Sequence, residues 1–448
     1  MSNTKNTSLT EGPIVSTLLW FTLPFLLANL LQTLYGTVDT MVIGNFGDAT
    51  GVSAVSSGAQ ILSVATYFAI GLSSGGTVLV GQCIGAKDHK RAAKIVGNII
   101  ISFIVVSLIL TAIFLVAYPV FLSALNVPAE AMDEAKSYMS ICCLGIPLII
   151  GYNIVCALLR AMGDSKSPLV FVAIACVINI IGDLLLTGHL GMGAAGVAIS
   201  TVIAQGCSFL FSLFFIIRRG MSFPFSRKDI RFDAHSTKSI FKVGTPMGLQ
   251  SILVNLSFLF ITAIINSMGV NASAAMGIGD KIVNFAFMPQ TAFASSIAVV
   301  VAQNMGARKP DRVIKSVRSA IIISVVIGVI VFAVCQLFPE LFPAFFTDDA
   351  TVRTMAGQYM RAYSIDAMLT SITFSLSGML NGCGKTTFNM TQNLIATFLV
   401  RIPATFFLSQ LPGVNLFIIG LAAPISSLMN VIMLTIYIKT GRWKNIEI

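Results

Sequence analysis

The sequence predicts an all-α integral membrane protein of about twelve transmembrane helices, arranged as two pseudo-symmetric six-helix lobes around a central cavity. Apolar residues make up 56% of the 448 residues and charged residues only 10%, whereas a water-soluble chain carries about 25% charged residues. The apolar residues are gathered into long runs. In addition, the sequence of the first half recurs in the second half, which predicts two similar lobes.

Twelve apolar segments have the roughly 20 residues that a membrane-spanning helix needs. In the first half they cover 14–43, 53–82, 95–118, 137–159, 168–188 and 193–217. In the second half they cover 243–268, 273–304, 319–339, 354–380, 387–410 and 415–438. A polar, basic stretch separates the two sets, so we predict an N-lobe at 1–217, a cytoplasmic linker at 218–242 and a C-lobe at 243–448.

The predicted loops alternate in charge. Connections such as "GAKDHKRAAK" and "GARKPDRVIK" are basic, whereas "NVPAEAMDEAKS" and "PELFPAFFTDDA" are acidic. Lysine and arginine stay on the cytoplasmic side of a membrane, so we expect a multi-pass protein of the plasma membrane with both termini in the cytoplasm. The same asymmetry accounts for the net charge of +10, and we expect no nucleic-acid partner.

The internal repeat has an offset of 221 residues, the separation between Val80 and Val301. "VGQCIGAKDHKRAAK" begins at the first of these residues and matches "VAQNMGARKPDRVIK", which begins at the second. Six spans per half give both copies the same orientation in the membrane, so the repeats are parallel and are related by an axis along the membrane normal. Two similar lobes favour a transporter that works by alternating access.

Three features together resemble the MATE (multidrug and toxic compound extrusion) family, including its bacterial NorM-like and DinF-like members. They are the six-plus-six helix order, the span ends "GQ…GA" and "AQ…GA", and the segment "NIIGDLLLTGHLGMGAAGVAIST". The resemblance covers essentially the whole chain. It implies an antiporter that exports bulky, often cationic or amphipathic compounds and is driven by Na⁺ or H⁺. It also implies a cation site in the N-lobe, formed by Asp39, Asn179, Asp183 and Thr201.

The residues themselves support this grouping. Asp39 lies in an apolar run with no charged residue for more than twenty positions upstream, and a buried carboxylate must be paired, protonated or bound to a cation. Asn179 and Asp183 are four residues apart and share one helix face. At about 1.5 Å per residue, Asp39, Asp183 and Thr201 all lie within about 12 Å of the outer boundary. Carboxylate, amide and hydroxyl oxygens suit Na⁺, and two acids close together can instead hold a proton. The alternative is a structural role, in which each acid forms a hydrogen bond with a neighbouring backbone group.

The second half does not repeat these acids, because Asp39 aligns with Ile261 and Asp183 aligns with Ala404 or Thr405. We therefore expect the ion site in one lobe only. The charged residues within the spans of the second half are Asp280, Lys281, Asp366 and Arg401. They have two candidate roles: charge pairing, such as Asp366 or Asp280 with Arg401, and contact with the substrate or a proton.

The sequence gives only weak evidence about which residues bind the substrate. Soft, polarizable side chains suit an adaptable cavity for an amphipathic or cationic small molecule, although such residues in membrane spans also face lipid or pack against other helices. The candidates are Met41, Phe68, Phe258, Phe285, Phe287, Met288 and Met368. The expected partners are this substrate and membrane lipid, and the protein is expected to be a monomer.

Two other function classes are alternatives. A lipid-linked oligosaccharide flippase of the same wider superfamily would share the helix pattern, but it favours a strongly cationic cavity for a diphosphate. An intramembrane enzyme would need a nucleophile or metal constellation, and the sequence contains no HExxH motif. We therefore expect no enzymatic activity, no catalytic residue, no cofactor, and no metal beyond the coupling ion.

Overall fold

The computed structural model describes residues 9–445, and within that range the chain is helical and contains no β-strand. The first half forms α1 (Ile14–Phe46), α2 (Ala49–Gly85), α3 (His89–Ala124), α4 (Met132–Ala161), α5 (Lys166–Asp183) and α6 (Gly193–Arg219). The second half forms α7 (Ala234–Asn266), α8 (Val270–Gly306), α9 (Pro310–Leu337), α10 (Ala350–Gly382), α11 (Thr386–Leu394), α12 (Ile402–Ser409), α13 (Leu416–Gly420) and α14 (Ala422–Lys439). A π-helix joins α11 to α12, and α13 leads directly into α14. The prediction of an all-α protein with twelve helical spans is confirmed.

Ten of the helical spans in the described range are both long and apolar enough to cross a membrane. The other two are unusual for separate reasons. Helix α10 has 33 residues, but it carries Arg353, Arg361 and Asp366 together with many serines and threonines. The span of α11 and α12 is interrupted by the π-helix Ile395–Arg401, so no single helical piece in it has the required length.

Contacts divide the described residues into two units. The first unit is Leu23–Gly248, and the second unit joins residues 9–22 to residues 249–445. The divisions fall inside α1 and α7, beside Pro24 and two residues after Pro246. Proline removes a helical hydrogen bond and allows a helix to bend. Each of these two helices therefore contributes one segment to each unit.

Part of the predicted linker is helical. Helix α7 begins at Ala234, so residues 234–242 are its first turns rather than an irregular connection. The reason is a local cap: Asp233 Oδ2 accepts hydrogen bonds from the backbone N–H of Ser236 at 2.9 Å and from its hydroxyl at 2.6 Å. An aspartate at this position satisfies the free N–H groups of the first turn, and the helix starts there, well before the apolar run.

In the first unit, α2 packs against the first segment of α7 through glycines. A Cβ atom on Gly71 would lie 2.2 Å from Gly248 Cα, and one on Gly75 would lie 2.4 Å from Gly244 Cα. No side chain fits at such separations, so these four positions allow the two helix backbones to touch. The contact holds the first segment of α7 in the first unit.

In the second unit, α10 lies along α8, and large aromatic side chains fill the space near the N-terminal ends of both helices. Tyr359 is 1% exposed and packs against Gly279, where a Cβ atom would lie 2.5 Å from the tyrosine ring. Tyr363, one turn later on α10, is also buried. This packing places the polar ends of both tyrosines among the charged residues of the second unit.

Candidate functional site

Two residues of the predicted cation site lie at the C-terminal end of α5, where the helix geometry changes. Asp183 is its last residue, and the π-helix Leu184–His189 follows directly. Asn179 lies one turn earlier, and these two side chains are 0% and 1% exposed. π-Helical turns widen a helix locally and often occur at functional sites. The aspartate therefore stands at a break in the regular hydrogen-bond ladder.

The structure brings together the four residues predicted to hold the cation. The carboxyl group of Asp39, on α1, lies at hydrogen-bonding distance from the side chains of Asp183, Asn179 and Thr201. Asn179 Nδ2 donates a hydrogen bond to Thr201 Oγ1 at 3.4 Å. All four side chains are buried. We call these four residues the acid cluster; it joins α1, α5 and α6 within the first unit.

Three oxygen atoms of the acid cluster have no hydrogen-bond partner among the residues that the structure describes. They are Asp39 Oδ1, Asn179 Oδ1 and Asp183 Oδ2. An unsatisfied buried acceptor costs roughly 1–3 kcal/mol, and more when it is charged. Carboxylate and carbonyl oxygens are the ligands that hard cations prefer, and a proton shared by the two carboxyl groups would also satisfy them. The arrangement therefore fits either Na⁺ or H⁺.

Two further residues belong to this environment and were not predicted. Ser200 donates a hydrogen bond to Asp183 Oδ1. Tyr35 lies one turn before Asp39 on α1, and its hydroxyl accepts a hydrogen bond from Gln205 Nε2 at 3.4 Å. The available signals were the spacing of four residues between Tyr35 and Asp39 and the adjacency of Ser200 to Thr201. Both are weak, because single serines and tyrosines are common in membrane helices.

The start of α6, which carries part of the acid cluster, is fixed by a glutamate on α4. Glu134 Oε2 accepts a hydrogen bond from the backbone N–H of Ala194 at 3.2 Å. Glu134 Oε1 accepts another from the hydroxyl of Thr50 at 3.1 Å. A carboxylate at a helix N-terminus interacts favourably with the helix dipole. This contact positions Ser200 and Thr201 along their helix axis.

The second unit has a polar cluster of a different kind. Arg401, the last residue of the second π-helix, donates a hydrogen bond through Nη2 to Tyr363 Oη at 2.6 Å. Its Cζ atom lies 4.5 Å from the ring centroid of Phe258. The hydroxyl of Tyr359 donates a hydrogen bond to Asp280 Oδ1 at 3.0 Å, and the centroids of the two tyrosine rings are 4.5 Å apart. We call these five residues the tyrosine–arginine cluster.

The predicted charge pairing in the second half is therefore indirect in this structure. Among the residues described, no ion pair within 4.0 Å joins Arg401 to Asp280 or Asp366; the two tyrosines lie between Arg401 and Asp280. Asp366 is 5% exposed and lies near the side chains of Ser427 and Thr370, and its Oδ1 has no hydrogen-bond partner among the described residues. Lys281 is exposed. Whether these residues contact substrate stays a prediction.

The residues predicted to line a substrate cavity differ in exposure and in packing within their own units. Met41 and Phe285 are exposed, at 59% and 44%, and Met288 is buried. Phe68 packs against the core of the first unit, and Phe287 packs against a core of the second unit. Phe258 lies under Arg401, and Met368 is half-buried. Their role in substrate binding stays a prediction.

The chain is similar to known proteins along its whole length. The family model described as MatE matches residues 24–185 and again 246–407. The probable multidrug resistance protein YpnP of Bacillus subtilis (strain 168) is 27% identical over 439 residues, which cover 98% of each chain. The multidrug export protein MepA of Staphylococcus aureus (strain NCTC 8325 / PS 47) is 23% identical over 433 residues, 96% of this chain and 95% of that protein.

Solved structures share the fold. A multidrug resistance MATE family transporter of the MOP superfamily, in an outward-facing conformation, superimposes with a TM-score of 0.92 at 20% identity, over 99% of this chain and 100% of that chain. A MOP superfamily transporter from Pyrococcus furiosus gives a TM-score of 0.92 at 19% identity, over the same shares. The two family-model matches correspond to the two halves of the internal repeat. The chain therefore belongs to the MatE family of multi-pass membrane transporters.

Proposed function

We propose that the protein is a cation-coupled antiporter that exports bulky, cationic or amphipathic small molecules by alternating access. The observation that carries this proposal is the acid cluster, with three buried oxygen atoms that have no partner among the described residues. The names of the relatives as multidrug export and resistance proteins support the substrate class. The coupling ion is Na⁺ or H⁺, and no cofactor is involved.

The chemistry of the acid cluster requires a positive charge. Asp39 and Asp183 lie at hydrogen-bonding distance from each other, and two adjacent carboxylates cannot both stay ionised in apolar surroundings without a counter-charge. A bound cation, or a proton on one carboxyl group, removes the repulsion. Occupancy therefore favours the arrangement in which α1, α5 and α6 stay together.

The neutral members of the acid cluster orient the site. Asn179 uses its amide N–H to bond Thr201, which leaves Asn179 Oδ1 free as a third ligand. Ser200 holds one oxygen of Asp183, and the other oxygen of that carboxyl group remains available to the ion. Antiport then requires that ion and substrate shift one conformational equilibrium in opposite directions.

The proposed location is the plasma membrane, as a monomer with both termini in the cytoplasm. Single cysteines provide a test in intact cells, because all four chosen positions are exposed. Cysteines at Asp349 or Pro128 should react with an impermeant thiol reagent from outside, and cysteines at Lys309 or Arg227 should react only after the membrane is opened. The reverse labelling pattern contradicts the orientation.

Transport by the purified wild-type protein in proteoliposomes tests the function. A cationic dye is placed on the cytoplasmic side, and a sodium gradient and a proton gradient are imposed separately. One of the two gradients should drive the dye to the opposite side, and its dissipation should stop the movement. Equal dye movement with and without each gradient contradicts coupled antiport.

A further inference from the structure

The turn between α2 and α3 shows how the first unit neutralises its basic residues. Asp88 is the N-cap of α3, and its side chain accepts a hydrogen bond from the backbone N–H of Arg91 at 3.0 Å. Lys94, one turn further on, forms an ion pair with Asp233 at 3.0 Å. Two carboxylates of the chain itself therefore balance the helix N-terminus and the lysine.

The repeat-related turn between α8 and α9 keeps three of the cations, as Arg308, Arg312 and Lys315, but has no counterpart of Asp88 or Asp233. With the offset of 221 residues, Lys309 stands where the first unit has Asp88, and α9 has no side-chain cap. Lys315 stands where the first unit has Lys94. Within residues 9–445, no carboxylate lies within 4.0 Å of the cationic group of Lys315 or Arg308. One carboxylate, Asp311, lies in the first turn of α9, so the cations of this turn are only partly balanced by the chain.

These cations surround a cavity of about 380 Å³, which we call the basic cavity. Its lining contains four cationic side chains and one acidic one; the lining residues are Ile14, Arg308, Lys309, Pro310, Asp311, Arg312 and Lys315. The segment that precedes α1 closes one side of it. Lys309 donates to the carbonyl of Thr10 at 3.0 Å, and Arg312 donates to the carbonyls of Gly12 and Glu11 at 2.9 and 2.7 Å.

An apolar, exposed helix face continues from the basic cavity. Ile322, Val326 and Val329 follow Lys315 by 7, 11 and 14 residues, which places all four on one side of α9. The three apolar side chains are 54%, 54% and 45% exposed. Ile322 is about 10 Å from Lys315 along the helix axis, at 1.5 Å per residue. The cationic residues at the start of α9 are thus followed, on the same side of the helix, by apolar side chains suited to the hydrocarbon of a membrane.

We propose that the basic cavity binds the phosphate-bearing headgroup of an anionic phospholipid, with the acyl chains along the apolar face of α9. A phosphate would supply the negative charge that Asp88 and Asp233 supply in the first unit. The adjoining apolar face favours a lipid over a soluble anion, because only a lipid has a tail to cover it. Clusters of lysine and arginine at the cytoplasmic boundary are suited to anionic headgroups.

Native mass spectrometry of the purified full-length protein tests this site. The protein is held in a neutral detergent and titrated with phosphatidylglycerol or phosphatidylcholine. The wild type should retain one phosphatidylglycerol molecule more tightly than phosphatidylcholine. The double variant Arg308→Gln, Lys315→Gln should lose that preference, with roughly fivefold weaker binding for each cation removed, the factor that corresponds to about 1 kcal/mol per cation near an anionic surface.

The repeat provides a matched control. Lys87→Gln with Lys90→Gln removes two exposed cations from the equivalent turn of the first unit, and this variant should keep the tight lipid. The charge-conserving variant Arg308→Lys, Lys315→Arg should keep it as well. Equal lipid retention by the Gln variant and its control overturns the proposal. Displacement of the lipid by millimolar inorganic phosphate also overturns it, because the cavity would then be a site for a soluble anion.

Discussion

The two units share a helix plan and differ in how they balance buried charge. In the first unit, acids lie beside acids, and three oxygen atoms of the acid cluster have no partner among the described residues. In the second unit, Asp280 accepts a hydrogen bond from a tyrosine, and Arg401 bonds a tyrosine and stacks on a phenylalanine, although Asp366 Oδ1 has no partner among the described residues. We propose that the first arrangement takes its cation from solution, whereas the second contains a cation of its own in Arg401. Duplication preserved the scaffold while the electrostatics of the two units diverged.

Replacing Arg401, the cation of the tyrosine–arginine cluster, should have the largest effect on stability. Arg401→Met abolishes a charged hydrogen bond to Tyr363 and a stacking contact with Phe258, and it leaves the nearby carboxylates uncompensated. We expect a loss of about 3 kcal/mol in the free energy of unfolding, from roughly 1.5–3 for the bond and up to about 2 for the stacking. Thermal unfolding in detergent measures it.

The double variant identifies the charge that Arg401 compensates. Asp280→Asn added to Arg401→Met should restore part of the lost stability, because no carboxylate then remains opposite the two tyrosines. The response of thermal stability to Na⁺ should be the same in both variants as in the wild type. An altered ion response in Arg401→Met would contradict the contrast between the two units.

A smaller effect on stability, but a specific one on the ion, is expected at Ser200. Ser200→Ala removes the donor that holds one oxygen of Asp183, at about 1.5–3 kcal/mol for a bond to a charged group. The increase in melting temperature produced by Na⁺, or by the pH step that protonates the site, should change. Ser200→Thr should keep much of the wild-type response.

Ser208 on the same helix is the matched control. Its hydroxyl is buried and donates to the carbonyl of Phe171 at 3.0 Å, away from the acid cluster. Ser208→Ala should lower stability without altering the response to the ion. The same altered response in both alanine variants would mean that Ser200 acts through general packing of α6.

Tyr359→Phe, unlike Ser200→Ala, should lower stability without changing the response to the ion. Tyr359→Phe leaves Asp280 Oδ1 without its donor, and the loss of one buried hydrogen bond costs about 1–2 kcal/mol. Because we place no driving ion in the second unit, the response to Na⁺ should stay at the wild-type level. Thermal unfolding across a Na⁺ titration decides this, and a shifted response to Na⁺ would extend the ion site into the second unit.

The smallest effect on thermal stability is expected for Asp233, which lies outside the membrane at the start of α7. The hydroxyl of Ser236, its backbone N–H and then Lys94 hold the pKa of Asp233 well below its ordinary value. A lowered pKa in the folded state stabilises the protein above the ordinary pKa of about 4, and that stabilisation is lost as the pH falls. Asp233→Asn should therefore melt slightly below the wild type from pH 5 to 8, with the difference shrinking below pH 4. A difference that grows in acid would contradict the assignment.

The sequence predicts the helices well, because the apolar runs lie within single segments, whereas the four residues of the acid cluster were grouped by the resemblance to the MATE family. Long apolar runs predict the spans, and an aspartate inside such a run marks a buried charge. Ser200 and Tyr359 escaped prediction because a polar side chain becomes informative only when its partner on another helix is known. The tyrosines between Arg401 and Asp280 are the clearest example, since opposite charges alone suggested a direct pair.

Gradient-driven export by matched variants of buried acids tests the central claim most directly. Wild type, Asp39→Asn, Asp183→Asn and Asp366→Asn are reconstituted in proteoliposomes, and dye export is measured with the coupling gradient present and absent. Asp39→Asn and Asp183→Asn should each lose gradient-driven export while retaining dye binding, because each substitution removes a charge of the acid cluster and keeps its size. Asp366→Asn, an equally buried acid of the second unit, should retain at least part of it. Full, gradient-responsive export by Asp39→Asn would contradict the account and leave Asp39 as a structural hydrogen-bond partner.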